Sequence, residues 1–402
     1  MHIVIAGNGI STLTLVKELK KTSIEAEIDV FSDEPRPFYW RPRLIEVLAN
    51  EATIQDITPY DEKWYEDHGV KLHLSEAVLD LDPKNAQVRT SRRTMKYDVF
   101  VFANGAKPFL PDVPGRDLKN VYTLRSYEDV EKVKEHYAKS KKFVIIGGGV
   151  LGIEMAAALN RAGEENVSVV EFFPYLLPRQ LDKPGAFVLK EMLKEKYHLE
   201  LLLGKVTSKI VGNEKVEGVE FSDKSFIKAD VVIFSTGVRA NAEIAKKAGV
   251  NVERGIVVDD QLRTNVKNVY AIGDVCQHRK RVYGIVPPAV EQARVLAKVL
   301  SSNAGKYEGS VMSNTLKVAG IELLSVGKTD PDSGKLAFSS LGDTKRGFYK
   351  KVVVENGKFV GAVSVGIEKK HALKLKKMVD NSEKATFPLH EYMKSEDKEE
   401  EK

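Results

Sequence analysis

The sequence predicts an α/β protein with two βαβ halves and a small C-terminal α+β domain. Three observations predict it. "IVIAGNGIST" (3–12) and "FVIIGGGVLGIE" (143–154) each run from a short apolar strand through a glycine turn into a helix. "YDVFVFANGAKP" (97–108) and "ADVVIFSTGVRAN" (229–241) then supply each half with a second buried strand that ends in its own glycine turn. From about residue 311 the pattern changes to β-rich runs.

In chain order, "IVIA" (3–6) is a fully apolar strand of the kind buried on both faces of a parallel sheet. "TLTLVKELKK" (12–21) has helical spacing, with Leu13, Val16 and Leu19 on one side, and "EIDVFS" (27–32) is the next strand. The second half repeats this as "FVIIGGG" (143–149), the helix "LGIEMAAALNRA" (151–162) and the strand "VSVVEF" (167–172). "NVYAIGD" (268–274) is a strand that stops at Gly-Asp. "AVEQARVLAKVL" (289–300) is a helix preceded by Pro287-Pro288, residues suited to a helix start. In the last part, "LLSVGK" (323–328) is β-rich and "GFYKKVVVENGKFVGAVSVG" (347–366) is a hairpin turning at Asn356-Gly357. A helix follows near 368–380, and "SEDKEEEK" (395–402) closes the chain as a solvated, disordered tail.

The chain has 402 residues, enough for two or three domains. Its net charge of +5 comes from many charges of both signs, so nucleic acid is not an expected partner. No apolar run approaches the ~18–20 residues that cross a bilayer, and no basic segment followed by an apolar stretch opens the chain. A cytoplasmic protein without membrane contact is expected. Cys276 is the single cysteine, and no His/Cys cluster has metal-ligand spacing, so no disulfide or metal is expected. Any electron chemistry then belongs to an organic cofactor.

A strand that runs into GxGxxG and a helix presents backbone N–H groups at a helix N-terminus, where a pyrophosphate is favoured. The two halves are therefore Rossmann-like dinucleotide-binding domains. In the first turn the pattern is Gly7, Gly9 and Thr12, so the third position carries a side chain and the helix is expected to stand further from the strand. Ile10 and Ser11 open its helix as candidate ligand contacts. Ser32, Asp33 and Glu34 follow the next strand, and Glu34 is the acid expected on the ribose. In the second turn Gly147, Gly149 and Gly152 all match, with Val150 and Leu151 opening the helix. Glu171 ends the following strand near the ~20-residue spacing of a ribose-binding acid. A carboxylate there accepts from a 2′-hydroxyl and repels a 2′-phosphate, which favours NADH over NADPH.

With "DEPRPFYWRPRLIEVLA" (33–49), "LPDVPG" (110–115), "VYAIGDV" (269–275) and "EQARVLA" (291–297), these stretches resemble the FAD-dependent pyridine-nucleotide-disulfide oxidoreductase superfamily over nearly the whole chain. Within it the pattern is similar to NADH:rubredoxin oxidoreductases and to the flavin domains of assimilatory nitrite reductases. The resemblance implies FAD on the first turn and NADH on the second. It implies an FAD-binding domain at 1–112 and 229–305, an NAD-binding domain at 113–228, an interface domain at 306–385 and a tail at 386–402.

Residue roles follow from the same resemblance. Asp274, after Gly273, would bond the ribityl chain, and Ala103, Asn104 and Gly105 would form the turn beside the flavin, with Asn104 in place of the usual threonine. Val78 would offer backbone groups to adenine, and Arg41 would be a cation next to the flavin. Glu154 would lie near the nicotinamide, and Arg41 and Glu154 are the expected catalytic residues. Gly237 would close the second site, in a loop where Ala240 replaces the usual proline. The helix beginning near Ala289 would point its N-terminus at the flavin.

Disulfide-reducing members carry a cysteine pair after the first acidic strand, and this chain has "FYWRPRL" (38–44) instead. The expected activity is therefore transfer of electrons from NADH through FAD to a small one-electron protein carrier such as rubredoxin. The alternatives are an NADH oxidase making hydrogen peroxide from dioxygen, or a flavin subunit of a larger redox complex. "HRKR" (278–281) and Lys369, Lys370, Lys374, Lys376 and Lys377 could guide an acidic carrier, and a homodimer through the last domain is possible.

Overall fold

The computed structural model describes residues 1–138, 141–302, 304–310, 313–329, 336–386, 388–390 and 392. These residues form two compact units. The first is made of the described residues within 1–47, 52–109 and 237–311, and the second of those within 48–51, 110–236 and 312–402.

The first unit is built on a parallel sheet whose strands lie side by side in the order Val269–Ala271, Val99–Phe102, His2–Ala6, Glu27–Phe31 and Val70–His73. Ile3, Val4 and Ile5 are wholly buried, as the unbroken apolar run requires of a strand covered on both faces. Two helices, Ile10–Leu19 and Val286–Ser302, pack on each other and contribute Leu15, Val16, Leu296 and Val299 to the core. The second of these helices starts three residues before the expected Ala289. Pro287 and Pro288 lie inside its first turn, where a fixed φ suits the helix and the missing N–H would have had no intrahelical acceptor.

The second unit repeats the arrangement, in the order Glu200–Leu203, Asn166–Glu171, Lys142–Ile146, Val231–Phe234 and Val121–Thr123, again all parallel. Val231–Phe234 pairs with Lys142–Ile146, so the chain leaves this unit between 236 and 237 rather than at the expected 228/229. A strand is assigned by what it pairs with, and that pairing is not written in its own residues.

The same unit holds an antiparallel sheet in the order Ser313–Val318, Ile321–Gly327, Lys358–Val365, Phe348–Glu355 and Ala337–Asp343, covered by the helix Lys369–Asp380. Asn356 and Gly357 both have positive φ (52° and 72°), the two-residue turn that the right-handed twist of a hairpin prefers. Leu324, Val352, Phe359 and Met378 form its core. The expected separate interface domain thus has its own core but clusters with the second half. Asp182, the N-cap of the helix Lys183–Tyr197, bonds Lys351 Nζ and the Tyr349 hydroxyl, each at 2.8 Å. The tail expected from 386 is packed at its start: Leu389 is buried in this core, and the Tyr392 ring meets Phe359 edge-on at 5.0 Å. The acidic residues 395–402 lie outside the described residues.

Candidate dinucleotide sites

In both parallel sheets the strand order reverses between the first strand and its neighbour from later in the chain. The crevice at the carboxyl ends of those two strands is where open α/β sheets take ligands. Ala6 pairs with Phe102 there, and Ile146 with Phe234. The glycine turns follow immediately, and the two are alike. Gly7 (φ +103°) leaves its strand so close to its neighbour that a Cβ would lie 2.4 Å from the Ala103 carbonyl oxygen. Gly147 (φ +121°) stands the same way, 2.3 Å from the Ser235 oxygen. Only glycine serves at either place.

The second glycines differ in kind. Gly9 (φ −95°) and Gly149 (φ −75°) have ordinary backbones, and a Cβ on either would meet nothing within 4 Å. Neither the backbone nor the packing needs glycine there. Each is the N-cap of its helix, with no side-chain cap and no acid in the first turn. The helices at Glu62–Asp67, Tyr127–Lys134 and Lys183–Tyr197 are capped by Asp61, Ser126 and Asp182, whereas Glu243–Lys247 and Lys369–Asp380 also lack a side-chain cap but begin with an acid at or beside the N-cap. Two bare N-termini behind open glycines leave unbonded N–H groups and a positive dipole end for an anion.

At the third position the turns part. A Cβ on Gly152 would come within 1.9 Å of the Gly147 oxygen. At the matching place Thr12 is wholly buried, and its hydroxyl donates to the Gly7 oxygen at 2.7 Å. A side chain is accommodated here, with its hydroxyl bonded back to the turn.

The two acids are held differently. Glu171 is buried, and its carboxylate accepts from the Gly148 N–H at 2.6 Å and the Phe173 N–H at 2.9 Å. It closes the second turn from below and keeps lone pairs for a hydroxyl. Glu34 is bonded by Arg41 Nη2 at 2.6 Å and by the Tyr39 hydroxyl at 2.5 Å. Burial works against the Arg41 charge, but Tyr39 and Glu34 outweigh it and raise the guanidinium pKa. Arg41 is thereby fixed on the expected ribose acid, and this pair was not anticipated.

Other expected residues converge on the first turn. Gly273 (φ +79°) backs onto Ser11, whose Oγ is 2.9 Å from where a Cβ would be. Its N–H is taken by Gln292 Oε1 at 2.8 Å, from the helix that also carries the buried Ala289. Asp274 sits in the single 3₁₀ turn Gly273–Val275 that follows. Gly105 has φ +65°, and beside it Asn104 exchanges hydrogen bonds with Asn241. Val78 pairs with Thr90 at the start of a small antiparallel sheet, and its side chain packs on the first unit's core. In the second unit Val150 and Leu151 open the helix Val150–Arg161. The loop residue Gly237 has φ +99°.

Glu154 lies in the second turn of that helix and accepts the Ala319 N–H at 3.1 Å. Burial raises its pKa, partly offset by this bond. Tyr197 donates to the Ala319 oxygen at 2.7 Å, so the hairpin tip Ala319-Gly320 is held on both its polar groups. The sequence placed Glu154 by motif alone and gave no sign of this partner.

Cys276 is wholly buried and its thiol pKa is pushed well up by burial. In "HRKR" His278 is buried, and it and Arg279 both bond Asp260, while Arg279, Lys280 and Arg281 are exposed. On the last helix Lys369, Lys374 and Lys377 are exposed, Lys370 is exposed and pairs with Glu368 at 3.1 Å, and Lys376 pairs with Asp380. Among the described residues one group, His2, Glu27 and Asp29, has metal-ligand spacing. Its bonds are met internally, since Asp29 contacts His2 and His73 at 2.8 and 2.5 Å and Glu27 pairs with Lys71. Among the described residues no helix is long and apolar enough to cross a membrane.

A dinucleotide fits the first turn on a further count. The buried Asn8 Nδ2 and Asn104 Oδ1 flank it and have no hydrogen-bond partner among the described residues. Asn8, Tyr65, Asn241 and Gln292 were not singled out from sequence. An asparagine between two glycines was the one visible signal.

Comparison with known proteins agrees with this geometry. Residues 1–293 match the family model "Pyridine nucleotide-disulphide oxidoreductase", and 313–383 match "Rubredoxin NAD+ reductase C-terminal domain". The chain is 38% identical to a nitrite reductase [NAD(P)H] of Bacillus subtilis over 368 residues, 91% of this chain and 45% of that protein. It therefore spans about half the length of such relatives. It is 31% identical to the NADH-rubredoxin oxidoreductase of Clostridium acetobutylicum over 358 residues, 88% of this chain and 90% of the other. The crystal structure of NADH:rubredoxin oxidoreductase from that organism superposes with a TM-score of 0.82 at 28% identity, covering 98% of both chains. Two like glycine turns on two parallel sheets, with one long family match spanning both, place this chain in the pyridine nucleotide-disulphide oxidoreductase family.

Proposed function

We propose that the protein is an NADH-dependent flavoprotein reductase that binds FAD on the first turn and NADH on the second. It passes electrons to a one-electron protein carrier of the rubredoxin type. The observation that carries this reading is the pair of bare helix N-termini behind Gly9 and Gly149, each an open seat for a pyrophosphate. Bound FAD would supply the conversion of one hydride into two single electrons, so that one NADH and two oxidised carriers give NAD⁺, a proton and two reduced carriers.

The protein's own groups bind and orient. The N–H groups of the helix starting at Val150 hold the NADH pyrophosphate. Glu171, fixed by two backbone donors, accepts from the adenosine ribose and repels a 2′-phosphate. Glu34, steadied by Arg41 and Tyr39, does the same for the ribose of FAD. Asp274 accepts from ribityl hydroxyls. No thiol takes part, because Cys276 is buried and held protonated. The match of 313–383 to a rubredoxin reductase C-terminal domain favours a rubredoxin-like acceptor. A lone unpaired thiol suits a reducing, cytoplasmic setting. A homodimer through the last domain is checked by sedimentation.

A second reading, the flavin portion of a larger nitrite-reducing assembly, is favoured by the 38% identity to a nitrite reductase. One experiment addresses both. The purified yellow protein is titrated with NADH under anaerobic conditions and its flavin absorbance followed, and then oxidised rubredoxin, cytochrome c or oxygen is added. Bleaching by one equivalent of NADH, with rubredoxin the fastest acceptor, is the expected result. Flavin that NADH does not bleach refutes the reductase. Oxygen as fast as the best carrier refutes the electron-transfer role. Bleaching with no fast carrier favours the assembly.

A further inference from the structure

The helix Lys369–Asp380 carries a charge pattern that the nucleotide turns do not use. Its buried residues Ala372, Leu375 and Met378 fix the side that meets the sheet. The other side presents Lys369, Lys370, Lys374 and Lys377, all exposed, around the exposed Leu373. Lys370 and Lys374 are four residues apart and Lys374 and Lys377 three, so neighbouring cations repel one another along the helix. Lys369 and Lys370 also occupy a first turn that holds no acid, where the positive end of the helix dipole opposes them. Acids offset little of this. Glu368 meets Lys370 at 3.1 Å, with side chains 67% and 65% exposed, and Asp380 is taken by Lys376. Among the described residues Lys369, Lys374 and Lys377 have no ion pair.

Like charges gathered on one helix face call for an acidic partner, and the chain itself supplies one nearby. Leu389 is buried in the same core as Ala372, Leu375 and Met378. The Tyr392 ring meets Phe359 of that core, and its hydroxyl accepts from the Thr386 N–H at 2.8 Å. The chain is thus anchored beside this helix as far as Tyr392. Residues 393–402, outside the described residues, read "MKSEDKEEEK", with five acids between 396 and 401. Ten extended residues reach about 33–36 Å, whereas the 12-residue helix is about 18 Å long. The acids can therefore reach every lysine of the face. A short tether holds them there at an effective concentration on the order of millimolar, so contacts too weak for a free peptide suffice.

We propose that the acidic segment 396–401 docks on the lysine face of the helix Lys369–Asp380 in the same chain. Exposed ion pairs hold it, so salt releases it. An acidic electron carrier would have to displace the segment to reach these lysines. That consequence rests on the proposed carrier, and the docking does not.

The test is carbodiimide cross-linking of the full chain, which joins a carboxylate directly to a touching lysine, read by mass spectrometry. Equal amounts of ¹⁵N-labelled and unlabelled chain are mixed, so that links within a chain are told from links between chains. At about 20 mM salt, residues 396–401 are expected to join Lys369, Lys370, Lys374 or Lys377 of the same chain, with yield falling at least fivefold at about 500 mM salt. Acetylation of these lysines should be about threefold faster in a chain ending at Tyr392, and in one with Glu396→Gln, Asp397→Asn, Glu399→Gln, Glu400→Gln and Glu401→Gln. Lys224, exposed on another surface, should be unaffected. Both variants change only residues beyond Tyr392, so the packed core stays intact. No links to this helix, links scattered over other lysines, links only between chains, or acetylation rates equal to the parent's each overturn the docking. The chain ending at Tyr392 should also show about a twofold lower KM for oxidised rubredoxin at low salt. An unchanged KM with the links present counts against the competition alone.

Discussion

Gly149 and Gly152 lie one turn apart on the same helix, and their substitutions should act in opposite ways. At Gly149 the backbone is ordinary and the space is open. Aspartate there would bond the bare N–H groups of the helix and meet its positive end. A cap in place of glycine contributes a few tenths of a kcal/mol, and the dipole adds about 0.3–1 kcal/mol. For a protein of this size that raises the melting temperature by roughly 1–2 °C. The same carboxylate would face the pyrophosphate of NADH. At an effective dielectric of about 20, unit charges about 5 Å apart repel by roughly 3 kcal/mol, so NADH should bind on the order of 100-fold more weakly. At Gly152 a methyl group at 1.9 Å from the Gly147 oxygen must retreat to an ordinary contact near 3.4 Å, a displacement of about 1.5 Å. Overpacking of that kind costs about 1–3 kcal/mol, so Gly152→Ala should melt several degrees lower. Thermal denaturation and NADH fluorescence titration measure both effects. If Gly149→Asp melts lower than the parent and still binds NADH, the glycine is structural and the case for the second site fails.

Other perturbations have equally definite outcomes. Burial raises the Glu154 pKa, so the folded protein favours its protonated form, and ionisation costs stability as pH rises above about 4.5, the value in the unfolded chain. Glu154→Gln should therefore melt higher than the parent at neutral pH, with the gain vanishing below about pH 4 in a pH series of melting curves. Lys351→Met strands the carboxylate of Asp182, and urea denaturation should show a loss of about 3–5 kcal/mol, partly recovered by adding Asp182→Asn. Cys276 should resist a thiol reagent in the native protein and react with one equivalent in guanidinium, and Cys276→Ala should reduce the carrier at the parent rate.

How much was legible depended on whether a feature is local. The strand His2–Ala6, the turns at Gly7 and Gly147 and the hairpin at Asn356-Gly357 are set by residues next to one another, and their patterns led to the right elements. The helix Val286–Ser302 began earlier than expected because prolines were read as preceding it rather than filling its first turn. Pairing across the chain was not legible. Nothing in "ADVVIFSTG" says that its strand lies beside Lys142–Ile146, and nothing around Glu154 announces Ala319, 165 residues away. The Glu34–Arg41 bond is closer in sequence, yet reading each residue for its own role concealed that they act as a pair.

The departures from pattern are more informative than the matches. A motif asks for glycine at three places in each turn, but the reasons differ. At Gly7 and Gly147 it is a crowded carbonyl, at Gly152 a close helix, and at Gly9 and Gly149 neither. Thr12 shows that the third position can carry a side chain when its hydroxyl bonds the Gly7 oxygen. No comparable adjustment inside the protein accounts for the second. On the proposed reading, a residue position left empty by choice of side chain, at a helix end left uncapped, answers to a pyrophosphate outside the chain. Were the space at Gly9 and Gly149 merely tolerated, valine at either should leave FAD and NADH affinity unchanged. Loss of FAD alone from Gly9→Val and of NADH alone from Gly149→Val is the outcome that two separate seats require, and absorbance and fluorescence titrations of the two variants distinguish the cases.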